Sequence, residues 1–166
     1  MIAWAREQTL PRSARPVLHF GALLATFPFV GAVARVIGQH LQTEGSVEAS
    51  VVRAEVRRSL GDRSSVDVAT RKTYTTLCNL ELLQHQRPLL LAPTEPPQVP
   101  DALDSWMGHA LLLTRNADSM PLTSLRGAPE FLGAVQGGSS SPKLGAQYEL
   151  VLRDRAASGS YLHRRA

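Results

Sequence analysis

Apolar residues recur at helical spacing through the middle of the chain. Val30, Val33, Ile37 and Leu41 fall on one face and predict a helix from about 28 to 42. Thr43-Glu44-Gly45 ends it, and Ser46 before Val47-Glu48-Ala49 is an N-cap candidate for a second helix over 48–60. That helix presents Val52, Val56 and Leu60 at intervals of four, and Gly61 follows where a helix end accepts a left-handed residue. Ser64-Ser65-Val66-Asp67 has the form of a capping box with Asp in place of Glu. It predicts a third helix over 65–80, with Val66, Ala69, Thr73, Leu77 and Leu80 inward and Asp67, Val68, Arg71, Lys72 and Thr75 outward. Leu82-Leu83 and Leu89-Leu90-Leu91 then flank a polar tip, Gln84-His85-Gln86-Arg87-Pro88, the pattern of a hairpin.

The flanking segments are less regular. Residues 1–16 read as an irregular arm, and 17–34 contain no Asp, Glu, Lys or Arg. Two readings of that run stand. One is a signal peptide or marginal membrane span, with Arg6, Arg12 and Arg15 ahead of it and Ala32-Val33-Ala34 as cleavage site. The favoured one is a pair of buried helices broken at Thr26-Phe27-Pro28, with Pro28 in the first turn of the second. Residues 93–100 hold four prolines and mark a linker. A helix follows over 101–115, burying Leu103, Trp106 or Met107, Ala110 and Leu113. Residues 121–136 suggest weaker turns around Ala128-Pro129, 137–142 a flexible break, and 147–153 a strand. Residues 154–166 read as a frayed basic tail. The resulting division is an arm at 1–16, a domain at 17–92, the linker, a helical extension with a terminal strand over 101–153, and the tail. No internal repeat is visible in the sequence.

Composition adds two constraints. The 166 residues are 43% hydrophobic but only 5% aromatic, so Leu, Val and Ala must fill the core. A lone cysteine, Cys78, excludes a disulfide framework within the chain, suits a reducing, cytoplasmic setting, and falls on a predicted apolar stripe. Net charge is +4, unevenly spread. Residues 53–87 carry seven Arg or Lys against four Asp or Glu, while 93–130 carry two against five. A basic patch attracts phosphates by Coulomb attraction and counterion release.

The candidate chemistry follows from that placement. The major groove of B-DNA admits one helix, which needs an apolar face to hold it and a polar face to read bases. The helix over 65–80 has both. Ser64 and Ser65 at its start suit a phosphate, and Arg71, Lys72 and Thr75 lie where base edges or adjacent phosphates are reached. Arg53, Arg57 and Arg58 on the preceding helix and Arg63 in the turn suit flanking phosphates, and Arg87 at the hairpin tip suits the minor groove or a phosphate. An ordinary solvated face is the competing account, with Arg71 paired to Asp67 and Arg57 to Glu55 or Asp62.

Helix, turn Gly61-Asp62-Arg63, helix and the apolar hairpin at 82–92 together resemble the winged helix-turn-helix superfamily, in particular small bacterial accessory proteins carrying such a domain. The resemblance covers about a quarter of the chain. It implies DNA contact by Arg71, Lys72 and Thr75. In that pattern a Gly often closes the helix before the first wing strand, and here Glu81 holds the place.

No HExxH, paired cysteines, phosphate-binding loop or GxSxG occurs, and the five histidines are scattered. His109, Tyr74 and Trp106 read as structural. The expectation is a mainly α protein with a small β-hairpin: a winged helix-turn-helix core, further C-terminal helices and one strand. It is expected to be non-enzymatic, to need no cofactor and to bind double-stranded DNA, with no small-molecule substrate inferred. Residues 17–42 or 101–115 are candidate surfaces for a protein partner or self-association. The alternatives are a protein–protein adaptor with the same fold, and a membrane-anchored or exported protein using 17–34.

Overall fold

The computed structural model describes residues 12–95, 97, 101–133, 150–155 and 159–164. The rest of the proposed arm and linker, the glycine–serine break and residues 147–149 lie outside it. The described chain is mainly helical and carries two small antiparallel sheets. It divides into two compact units. One is built from residues 29–97 and 128–134, the other from 1–28, 98–127 and 135–166.

In the second of these, a 3-10 turn at Arg12–Ala14 leads into helix α1, Arg15–Thr26. The expected arm therefore ends earlier than residue 16, because Pro16 suits the first helical turn. α1 buries Val17, Phe20 and Leu24 and packs against helix α5, Asp101–Thr114. The Trp106 indole donates to the Leu18 carbonyl at 3.1 Å. The Thr114 hydroxyl lies 2.7 Å from the Leu24 carbonyl oxygen. Leu103, Trp106, Met107, Ala110, Leu111 and Leu112 are all buried, so α5 hides more of its surface than a single stripe predicts. Leu113, expected inside, is half-buried. Strand β4, Ser119–Pro121, and helix α6, Leu122–Arg126, follow. The unit ends on strands β5, Leu150–Arg155, and β6, Gly159–Arg164. β6 is a correction: the sequence places 159–164 in a frayed tail, whereas it is the central strand between β4 and β5. Its Leu162 is fully buried and packs against Gly108 of α5.

The segment broken at Phe27 behaves as the favoured reading requires. α1 ends at Thr26, and α2, Pro28–Glu44, starts at the proline. No single helix among the described residues is long and apolar enough to cross a membrane. The stretch from Arg12 to Glu44 reaches that length and apolarity only as two helices with a break between them.

The other unit runs α2, strand β1 (Ser46–Glu48), helix α3 (Ala49–Leu60), helix α4 (Ser64–Asn79), and strands β2 (Gln84–Gln86) and β3 (Leu89–Leu91). β3 lies between β1 and β2, antiparallel to both, with Val47 and His85 opposite Leu90. β1 corrects a second expectation. Ser46 caps no helix but opens a strand, and Glu48 stands at the N-cap of α3 without a side-chain cap. Val33, Ile37, Val47, Val52, Val56, Val66, Tyr74, Leu77, Leu82 and Leu90 are among the buried side chains of this unit. A 3-10 turn at Pro129–Phe131 also belongs to it. The Pro129 backbone comes so close to Gly38 of α2 that any Cβ there would collide with it. Arg35, one turn earlier, pairs with Glu130 at 2.9 Å.

The two units share an order that the sequence hides. In each, a helix precedes a three-residue strand, the strand runs directly into another helix, and a hairpin later closes the sheet with its second strand in the middle.

Candidate nucleic-acid interface

The proposed binding face is assembled from α3, the turn Gly61-Asp62-Arg63, α4 and the hairpin. α3 and α4 pack on each other, and Val52, Val56, Val66, Thr73 and Leu77 of the two helices are buried. Gly61 joins them at φ +100°, a backbone that other residues rarely adopt, and its N–H closes α3 on the Arg57 carbonyl at 2.9 Å. Leu60, expected inside, is exposed because α3 has already turned its last residue away from the core.

α4 starts at Ser64 with Arg63 at its N-cap, and no side-chain cap bond forms. The expected capping box is thus absent, and both Ser64 and Ser65 are exposed. The inner face consists of Val66, Thr70, Thr73, Tyr74 and Leu77. Thr70 and Thr73 tolerate burial because their hydroxyls donate to the Val66 and Ala69 carbonyls one turn back. Ala69 and Leu80, placed inside by the spacing, are only half-buried. The opposite face carries Ser64, Val68, Arg71, Lys72 and Thr75, all exposed.

The cations divide into two groups. Arg57 lies 3.7 Å from Asp62 and 3.5 Å from Asp67, so it ties α3 to the start of α4 and is already neutralised. Asp67 therefore faces Arg57 rather than Arg71, and Glu55 accepts from His40 instead. Arg58, Arg63, Arg71, Lys72 and Arg87 are exposed, Arg53 is half-buried, and none of the six makes an ion pair among the described residues.

The hairpin is shorter than its sequence suggests. β2 takes Gln84, His85 and Gln86, leaving a two-residue tip of Arg87-Pro88. Leu82 and Leu83 are buried ahead of the strand. His85 meets the Tyr74 ring edge-on at 5.5 Å between centroids, fixing the hairpin to α4. The Pro88 carbonyl accepts from Ala49 at 3.0 Å, fixing the tip to the start of α3. Glu81 has φ +59°, and Leu82 N–H reaches back to the Leu77 carbonyl at 3.0 Å. Glutamate here holds the left-handed helix end that a glycine commonly supplies.

Two features were missed by the sequence reading. His40 of α2 sits between Glu44, at 3.3 Å, and Glu55, at 3.0 Å. The hydrogen bond to Glu55 raises its pKa, burial opposes the rise, and Glu44 adds to it. Cys78 lines an open groove of about 500 Å³ together with Glu81, Leu83, Gln84, Thr94 and Glu95, and burial pushes its thiol pKa up. That groove offers carboxylates and no cation, so it does not suit phosphate. Among the described residues no group of three or more His, Cys, Asp or Glu is placed to hold a metal ion. No protein family, curated protein or solved structure matches the chain.

Proposed function

We propose that residues 29–97 form a winged helix-turn-helix that binds double-stranded DNA, in a non-enzymatic, cytoplasmic protein that serves as a regulator or accessory subunit of a bacterial nucleic-acid-handling system. α4 is the groove-entering helix, α3 braces it, and β2–β3 is the wing. The observation that carries the reading is the outer face of α4, where Arg71 and Lys72 stand exposed and unpaired directly opposite a buried stripe. A helix that fits the major groove needs that division. The order of elements supports it, because the β2–β3 hairpin follows α4 directly along the chain, where a wing belongs. Arg58, Arg63 and Arg87 supply further uncommitted cations, whereas Arg57 acts mainly between the helices.

The test is a gel shift of the full chain on random-sequence duplex at about 50 and about 200 mM salt, beside the Arg71→Ala/Lys72→Ala double variant. Phosphate-driven binding weakens steeply over that range, and losing two contacts flattens the logarithmic salt slope by about 1.8. Absent binding at low salt, or a double variant indistinguishable from the parent, refutes the reading.

One observation favours a protein-binding adaptor as the second reading. The unit holding β4–β6 repeats the strand order, yet the helix after its first strand, the counterpart of the bracing helix α3, has only five residues. So short a brace suits a protein partner better than a groove-reading helix. The adaptor reading predicts no duplex binding at either salt concentration.

A further inference from the structure

Val68 is the anomaly of the α4 outer face. It is 49% exposed, one of four large apolar side chains so exposed among the described residues. It sits at the centre of the face, four residues after Ser64, three before Arg71, four before Lys72 and seven before Thr75. A β-branched residue at a solvent-facing helix position lowers helix propensity, and half of this one stays in contact with water. The hydrophobic inner stripe does not need it, since Val66, Tyr74 and Leu77 fill that role. Cations and hydroxyls surround it, so an apolar protein surface docking there would have to bury Arg71 and Lys72 uncompensated. A DNA groove meets both demands at once: phosphates for the cations, and one apolar group on the base edges. That group is the C5 methyl of thymine, which distinguishes thymine from every other base in the major groove.

We propose that Val68 is a specificity-determining residue that packs on the C5 methyl group of thymine and gives this protein a preference for thymine at the base step beneath the middle of α4. The inference rests on the DNA-binding reading above and adds the chemistry of the base read. Ser64, Arg71 and Lys72 set the register by holding phosphates on either side, and Val68 supplies the contact that depends on sequence.

The experiment compares binding of the full chain to two duplexes of alternating adenine and thymine, identical except that uracil replaces thymine in one. The two have the same charge and the same hydrogen-bonding edges and differ by the methyl group. The parent is expected to bind the thymine duplex about four-fold more tightly for each methyl group buried. Val68→Ser is expected to bind the two duplexes equally. Because the side chain is exposed, this variant should fold, and an unchanged circular dichroism spectrum and thermal midpoint check that it does. Equal affinity of the parent for both duplexes overturns the inference while leaving the DNA-binding reading in place, as does a Val68→Ser variant that keeps the preference. Failure of the parent to bind either duplex at low salt removes the DNA-binding reading, and this inference with it.

Discussion

Arg35 donates through Nε to Oε1 of Glu130 at 2.9 Å, joining two residues 95 positions apart. The carboxylate is fully buried, while the arginine side chain is 47% exposed. The two sides of this pair are therefore unequal. Removing the arginine takes a cation away from a buried carboxylate, whereas neutralising the glutamate frees an arginine that water already reaches. Arg35→Ala is expected to cost about 1–3 kcal/mol in urea unfolding, the lower end reflecting solvent screening at the arginine. Glu130→Gln should cost less, and adding it to Arg35→Ala should recover part of the loss, which a double-mutant cycle measures directly.

His40 gives the stability a pH dependence. Its folded pKa is raised, chiefly by Glu55 and then by Glu44. Protonated His40 is the form these carboxylates favour. Its contribution is therefore full below the unfolded histidine value, about 6.5, and is lost as pH rises through the higher folded value. The stability difference between the parent and His40→Ala should shrink between about pH 5.5 and about pH 8. A difference that grows over that range would contradict the assignment.

Under the DNA-binding proposal, Arg57 separates bracing from phosphate contact. It is engaged by Asp62 and Asp67, so Arg57→Ala should reduce the salt slope of duplex binding by less than Arg71→Ala does. Asp67→Asn leaves Arg57 only Asp62 as partner and removes a negative charge beside the proposed reading face, so duplex affinity at low salt should rise. Anisotropy titrations of the three variants over a salt series provide the comparison.

Cys78 should be a slow nucleophile. Burial raises its pKa, so less thiolate is present near neutral pH than for a free cysteine. Alkylation by iodoacetamide at about pH 8 should be slow in the native protein and accelerate on unfolding in urea. A rate equal to that of a model thiol would refute the effect of burial.

The helices were largely legible in the sequence because their signal is local. Val33 and Ile37, Val52 and Val56, and Val66, Thr73 and Leu77 repeat at helical spacing and are buried as that spacing predicts. The strands were less legible. Ser46–Glu48 is too short to show a period, and only pairing with Leu89–Leu91, more than 40 residues away, makes it a strand. Gly159–Arg164 likewise owes its position to partners at 119–121 and 150–155. At the candidate interface the exposed positions of Arg71, Lys72 and Thr75 followed from periodicity. The pairing of Arg57 with Asp67 did not, because it depends on the angle at which the turn after Gly61 sets α4. The shared strand order of the two units escaped notice for a related reason. It lies in which strands pair, while the residues of the two central strands, Leu-Leu-Leu in one and Gly-Ser-Tyr-Leu-His-Arg in the other, have little in common.

The 3-10 turn at Pro129–Phe131 has a consequence for how the chain is made. It completes the unit whose other residues end at 97, yet residues 98–127 of the other unit separate the two. Since synthesis proceeds from the N-terminus, α2 emerges from the ribosome well before the carboxylate that meets Arg35 exists. Residues 29–97 must therefore wait, with the α2 surface that meets this turn uncovered, until the ribosome has passed Phe131. A protein cleaved at the proline-rich stretch would keep that face uncovered for good.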